Sequence, residues 1–178
     1  MSQPPTEFRT RSLTLRRPVV SDAQAIFEEY ASDPIAARYL TWTPHRSAET
    51  VADFLSDLLS RAESAEEFSW VLTVHGSDRA IGMLAARNAG SRVDLGYVVG
   101  RGHWGKGYMT EAVSGLAERM LVLPGIYRVG AVCDVENVAS ARILEKSGFE
   151  REGVLRRWRT LPNRSSEPRD CFVYGRTR

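Results

Sequence analysis

Lysine is nearly missing from this sequence. Of 24 basic residues only Lys106 and Lys146 are lysine, and the other 22 are arginine. Acidic residues also number 22, so the net charge is +2. That is too small to draw the chain to nucleic acid or to an anionic membrane by charge alone. Cysteine is scarce as well. Cys133 and Cys171 are the only two, each in an apolar, strand-like setting (VGAVCDV and RDCFVYG). Such a pair argues against a disulfide framework and for buried, reduced thiols. There is no CxxC and no HExxH, and the three histidines are scattered, so no metal is expected. No apolar run approaches the roughly 20 residues that span a bilayer. The opening MSQPPTEFRTR lacks the apolar stretch of a signal peptide. A cytoplasmic location is the expectation.

What is present fits an ordinary globular chain. It has 178 residues, 43% of them apolar and 26% charged, enough to bury a core. Residues 1–10 read as a loose tail and 11–178 as one domain. Leu13 and Leu15 alternate with polar residues, as in a strand. Ser21 is placed to cap a helix through Tyr30, and Asp33-Pro34 either breaks it or starts a short new one. Ser47 precedes a helix with Val51, Phe54, Leu55, Leu58 and Leu59 on one face. Three strands follow, over 68–74, 80–86 and 92–99, with turns at 75–78 and 88–90. Met109, Ala112, Val113, Leu116, Ala117, Met120 and Leu121 recur at helical spacing. A strand over 126–133 comes next. A short helix then runs from Asn137, its N-cap, to Gly148 at C′. Strands near 149–154 and 170–175 close the chain. The order predicts a mixed α/β (α+β) fold, mostly antiparallel, of six to seven strands and about four helices.

The most informative stretch is LGYVVGRGHWGKGYMTE, residues 95–111. A β-branched run opens through four glycines into a helix. The first amides of a helix lack partners and carry partial positive charge, and glycine lets the backbone approach an anion. Three phosphate sites compete for this pattern. Gly100 to Lys106 fits GxxxxGK, but Gly107 stands where a P-loop needs Ser or Thr for magnesium, and no parallel βαβ unit precedes it. Gly105 and Gly107 supply two of the three glycines of a dinucleotide fingerprint, without the third small residue. The third site is the pyrophosphate cradle of coenzyme A.

VDLGYVVGRGHWGKGYMTEAV resembles the acetyl-CoA motif of the GNAT acetyltransferases, and more narrowly of their RimJ/RimL-like branch. YRVGAVCDVENVASARILEKSGFEREGVLR resembles that family's second signature, N-x-x-S followed by L-E-K-x-G-F. The likeness covers nearly the whole chain. It implies a sheet splayed between the fourth and fifth strands. It implies acetyl-CoA as donor, with Leu95, Gly96, Tyr97, Val98 and Val99 along its pantetheine arm. Trp104, Gly105, Lys106, Gly107, Tyr108, Met109 and Thr110 would lie at the pyrophosphate, and Asn137 beside the cofactor. Trp104 and Met109 depart from the generic Q/R-x-x-G-x-G/A pattern, while Gly107 keeps its glycine.

The implied reaction moves an acetyl group to a primary amine, by direct attack in a ternary complex. It needs a base, a donor to the thioester oxygen and an acid for the thiolate. By resemblance, Ser140 is the candidate acid. Asp94 is the candidate base, where relatives carry Glu in A-E-I-G-Y. Arg156 to Arg159 fill the segment where some relatives place another acid. Arg101 and Lys106 are candidates to attract phosphate. Tyr39, Trp42 and Trp158 are candidates to line the acceptor pocket, with core packing as the competing account. The acceptor is a small-molecule amine or a protein N-terminus, and relatives commonly form homodimers. A non-catalytic acyl-CoA-binding module is the rival reading.

Overall fold

The computed structural model describes residues 4–61 and 67–178. The strands are β1 (Glu7–Arg9), β2 (Leu13–Arg16), β3 (Glu67–Val74), β4 (Gly82–Asn88), β5 (Arg92–Val99), β6 (Arg128–Asp134), β7 (Glu150–Leu161) and β8 (Ser165–Thr177). The helices are α1 (Ala23–Ile26), α2 (Ala48–Arg61), α3 (Tyr108–Leu121) and α4 (Val138–Lys146). Among the described residues one sheet holds all eight strands, in the order β1-β2-β3-β4-β5-β6-β8-β7. Every pairing is antiparallel except β5 with β6. That exception follows from α3, which carries the chain back across the sheet before β6 begins.

Alternation within the strands divides the core. Leu13, Leu15, Trp70, Leu72, Leu84, Leu95 and Val129 pack on one face with the apolar stripe of α3 and with Leu144 of α4. Val71, Met83 and Val98 point the other way, toward Ile26 of α1 and Val51 and Leu55 of α2. Glu111, in the first turn of α3, ties that helix to the sheet's edge. It accepts from the Ser12 amide (2.6 Å) and from the Thr10 hydroxyl.

The position of the site is set where β5 and β6 part. Their pairing runs from Arg92↔Arg128 to Leu95↔Ala131 and stops. Beyond it β5 stays with β4, to Gly82↔Val99, while β6 stays with β8, to Asp134↔Cys171. Residues 96–99 therefore have a neighbour on one side only. This is the expected splay, since these are the fourth and fifth strands of the sequence count.

The sheet has eight strands, one more than the six to seven expected. The extra one is β1, placed by the sequence in a loose tail. Phe8 pairs with Leu15 and is buried, and the Trp70 indole donates to Pro5 O at 2.9 Å. One phenylalanine between polar neighbours gives no alternation to detect. Strands β7 and β8 outrun their expected spans for a related reason. Their outer halves are polar, largely exposed, and pair only with each other. The first helical segment starts at Val20 as a 3-10 turn, where Asp22 takes the Val19 amide at 2.9 Å, and closes as a π-helix over Phe27–Ala31. No described helix is long and apolar enough to cross a membrane.

Candidate active site

The glycine segment is fastened from below. At Gly100 a Cβ atom would stand 2.8 Å from Glu29 O, so the contact admits only glycine. A 3-10 turn, Arg101–His103, follows. Arg101 pairs with Asp33, and His103 Nε2 lies 3.3 Å from Glu29 Oε2. The Trp104 indole donates to Val99 O at 3.0 Å, holding the loop to the end of β5. Arg101 is thus held by Asp33 and does not line the cleft. Lys106 is exposed and does not line the cleft.

Above these anchors the loop is open. Gly105 and Gly107 have φ of +75° and +78°, and no atom lies within 4 Å of where a Cβ would stand on either. Gly107 is the N-cap of α3 and no side chain caps it. The amides of Tyr108, Met109 and Thr110 are first-turn donors that the helix itself cannot satisfy. Those three residues, with Trp104, Gly105 and Gly107, line a cleft of about 1350 Å³. Aligned free amides, helix polarity and a bare backbone suit a pyrophosphate. The unpaired edge of residues 96–99 leads away from them, and an amide-bearing arm can pair there as an added strand. The residues present therefore fit coenzyme A.

Two candidate catalytic groups flank the split from opposite faces. Asp94 shares the α1–α2 face with Gly96 and Val98. Its carboxylate is 3.5 Å from Arg92 Nε, and a Cβ at Gly130 would stand 2.9 Å from Asp94 Oδ1. The bare Gly130 backbone leaves room for that carboxylate at the edge of the split. Tyr97 lies on the other face, and its hydroxyl is 2.8 Å from Ser140 Oγ. Ser140 is held by Asn137, whose Oδ1 accepts from the Ser140 amide at 3.2 Å. That bond is the N-cap of α4, as expected for Asn137. Burial pushes the Tyr97 phenol well above the ordinary tyrosine range, against the pull of its Ser140 bond. Burial likewise pushes the Cys133 thiol up to about 11, again opposed by Ser140. Both cysteines are free and buried. The Tyr97–Ser140 contact was not visible from sequence, because it joins positions 43 apart through the splay.

The far end of the cleft is lined by Tyr39, Trp42 and Trp158, with Leu155 and Leu161. The aromatic loop is fixed by a residue that sequence reasoning missed. Asn163, in the turn between β7 and β8, donates to Ala37 O (2.7 Å) and Trp42 O (2.8 Å). In sequence it reads as an ordinary turn asparagine. Tyr39 donates to Glu136 O at 3.3 Å and lies under the Arg164 guanidinium. Trp158 is 56% exposed and follows Arg157, whose φ is +48°. A bulge in β7 causes this, and the Arg157 amide donates to Asp170 Oδ1 at 2.8 Å. Such bulges re-aim side chains near sites. All the candidate residues except Arg101 and Lys106 line this one cleft.

Asp134 stiffens the wall beneath the N-cap loop. Its side chain is fully buried and takes Arg169 Nε at 2.5 Å and the Glu136 amide at 2.9 Å. Burial alone would raise this carboxyl, but those donors outweigh it and hold it below its ordinary 3.8. The folded chain therefore resists protonation there. The stabilisation is complete above the ordinary carboxylate range and fades as pH falls through the lowered value. Asp134→Asn should cost about 2 kcal/mol at pH 7. In denaturant titrations the gap from wild type should narrow below pH about 4. A gap independent of pH would contradict this account. Among the described residues, no cluster of three or more His, Cys, Asp or Glu is placed to hold a metal.

A sheet split beside an open helix N-terminus is the architecture of an acyl-group transferase that takes a phosphate-bearing thioester. A family model described as an acetyltransferase (GNAT) domain matches residues 12–150. The chain belongs to the GNAT acetyltransferase family. It is 33% identical over 154 residues to the uncharacterized N-acetyltransferase p20 of Bacillus licheniformis, covering 83% of this chain and 84% of that one. Its fold matches that of the microcin C7 self immunity acetyltransferase MccE in complex with acetyl-CoA and AMP. There the TM-score is 0.86 at 19% identity, covering 99% of both chains. It also matches RimL, a ribosomal L7/L12 alpha-N-protein acetyltransferase in complex with coenzyme A. The TM-score is 0.82 at 18% identity, covering 99% of this chain and 98% of RimL. The enzyme class is N-acetyltransferase.

Proposed function

We propose that this protein transfers the acetyl group of acetyl-CoA to a primary amine, by direct attack of the amine while both substrates are bound. The observation that carries this reading is the pair of groups on opposite faces of the β5–β6 split. Asp94 stands on the side from which an amine can enter. The Tyr97–Ser140 pair stands on the other side, where a departing sulfur needs a donor. A thioester threaded through the split would present its carbonyl between them. The amides of residues 108–110 would hold the pyrophosphate, and residues 96–99 the pantetheine arm. Ser140 would donate to the leaving thiolate, and Asp94 would take the amine proton, directly or through water. In this reading Asn137 sets the position of Ser140.

The acceptor is a protein N-terminal α-amine or a small-molecule amine, placed by Tyr39, Trp42 and Trp158. RimL, with its protein α-amine substrate, and MccE support the two acceptor kinds, and RimL supports a RimJ/RimL-like branch. The test is thiol release from acetyl-CoA by the purified protein across N-terminal peptides and small amines. Amine-dependent release is expected. Acetyl-CoA binding with no release on any acceptor would favour a non-catalytic acyl-CoA-binding module. Absence of acetyl-CoA binding would overturn both readings.

A further inference from the structure

We infer that Tyr97 is the positioning residue that aims the Ser140 proton at the departing sulfur. The inference rests on the acetyl-transfer reading above and deepens it.

A serine hydroxyl has one proton and can give it to one acceptor at a time. Ser140 Oγ lies 2.8 Å from the Tyr97 hydroxyl. If Ser140 gave its proton to Tyr97, nothing would remain for a sulfur. The surroundings decide the direction. The phenol is partly buried, and its desolvation keeps it protonated far above neutral pH, so it has a proton to give. Its other acceptor, Ser140 O, is 3.4 Å away, a long contact for an O–H donor. Ser140 Oγ is the better acceptor. The run is therefore Tyr97 O–H to Ser140 Oγ, and Ser140 O–H outward.

The chemistry balances without ionising Tyr97. The amine lone pair forms the new C–N bond, and the tetrahedral intermediate collapses with rupture of C–S. The electron pair stays on sulfur, which accepts a hydrogen bond from Ser140. The proton lost by nitrogen goes to Asp94 or to water, and the free thiolate takes up a proton on release. A buried tyrosinate is costly, so Tyr97 keeps its proton and acts only through Ser140. Its burial serves the reaction by keeping the donor intact at every working pH.

Tyr97→Phe keeps the ring and removes the hydroxyl. Its kcat should fall about 10-fold, within the range for one lost donor. The KM for acetyl-CoA and the melting temperature should stay near wild type. Ser140→Ala should lose more, and the double variant should lose no more than Ser140→Ala alone, since Tyr97 has no other route to the sulfur. Placing 3-fluorotyrosine at position 97, a better donor of nearly the same shape, should keep kcat at or above wild type. That variant also answers the question should Tyr97→Phe fold poorly. An unchanged kcat in Tyr97→Phe, additive losses in the double variant, or a loss confined to KM would overturn the inference while the wild-type enzyme still turned over. A wild type inactive on every amine would overturn it together with the function it rests on.

Discussion

Asp94→Asn is expected to lower kcat by roughly 100-fold at pH 7, the lower part of the range for a lost general base. Asparagine matches the carboxylate in shape but cannot take a proton. The proposed cofactor contacts lie elsewhere, so the KM for acetyl-CoA should stay within about twofold. Asp94 sits one residue before the last β5–β6 pair, over the bare backbone of Gly130. The fold supplies that space and the variant keeps it. The deficit should depend on the acceptor. An α-amine titrates near 8 and a lysine-like amine near 10, so an alkyl amine needs the base more. For each acceptor the gap from wild type should close as pH rises through that amine's own pKa. Initial-rate pH profiles with one peptide and one alkyl amine measure this. A kcat unchanged by the substitution, or a deficit constant with pH, would remove Asp94 from the mechanism.

The second large effect is on binding. Gly107→Val is expected to weaken acetyl-CoA binding about 100-fold, close to 2.7 kcal/mol. Two causes add. Gly107 sits at φ +78°, where a β-branched residue is strained. The new Cβ would meet no protein atom within 4 Å, so the side chain would project into the space proposed for the pyrophosphate. There it would hold the anion away from the α3 amides, and hydrogen bonds to charged groups are worth about 1.5–3 kcal/mol each. The melting temperature should drop by only a few degrees. Calorimetric titration with acetyl-CoA, beside a thermal melt, separates the two. Undiminished affinity in a folded variant would place the phosphate elsewhere.

These two residues illustrate how the sequence discloses a site. Gly107 was legible because a helix N-terminus after glycines has a local cause: free amides and a permissive backbone lie within a few consecutive residues. The N-cap role of Asn137 was legible for the same reason, as was Gly148 at a helix C-terminus, where φ is +80°. Asp94 was legible as a candidate only through resemblance, because an acidic residue on a half-exposed strand has no local signature of chemistry. Arg101 shows what a local reading leaves out. Its place in the loop suggested a phosphate partner, and its pairing with a distant aspartate, Asp33, is seen only in the structure. Trp158 was a plausible pocket residue in sequence, yet only the bulge at Arg157 decides which way it faces.

The sequence alone determined the period of each strong element, the glycine-led helix start and the caps of α4. Each of these depends on interactions within about one or two turns of chain. Tertiary structure alone decided that β5 and β6 part at Leu95 and Ala131, that Asn163 holds the aromatic loop, and that Tyr97 meets Ser140 across the opening. Those contacts join residues far apart in sequence, and their partners are fixed only when the sheet has chosen its order and register. The glycine loop therefore pointed to a phosphate from its own residues. The chemistry beside it had to wait for the split in the sheet.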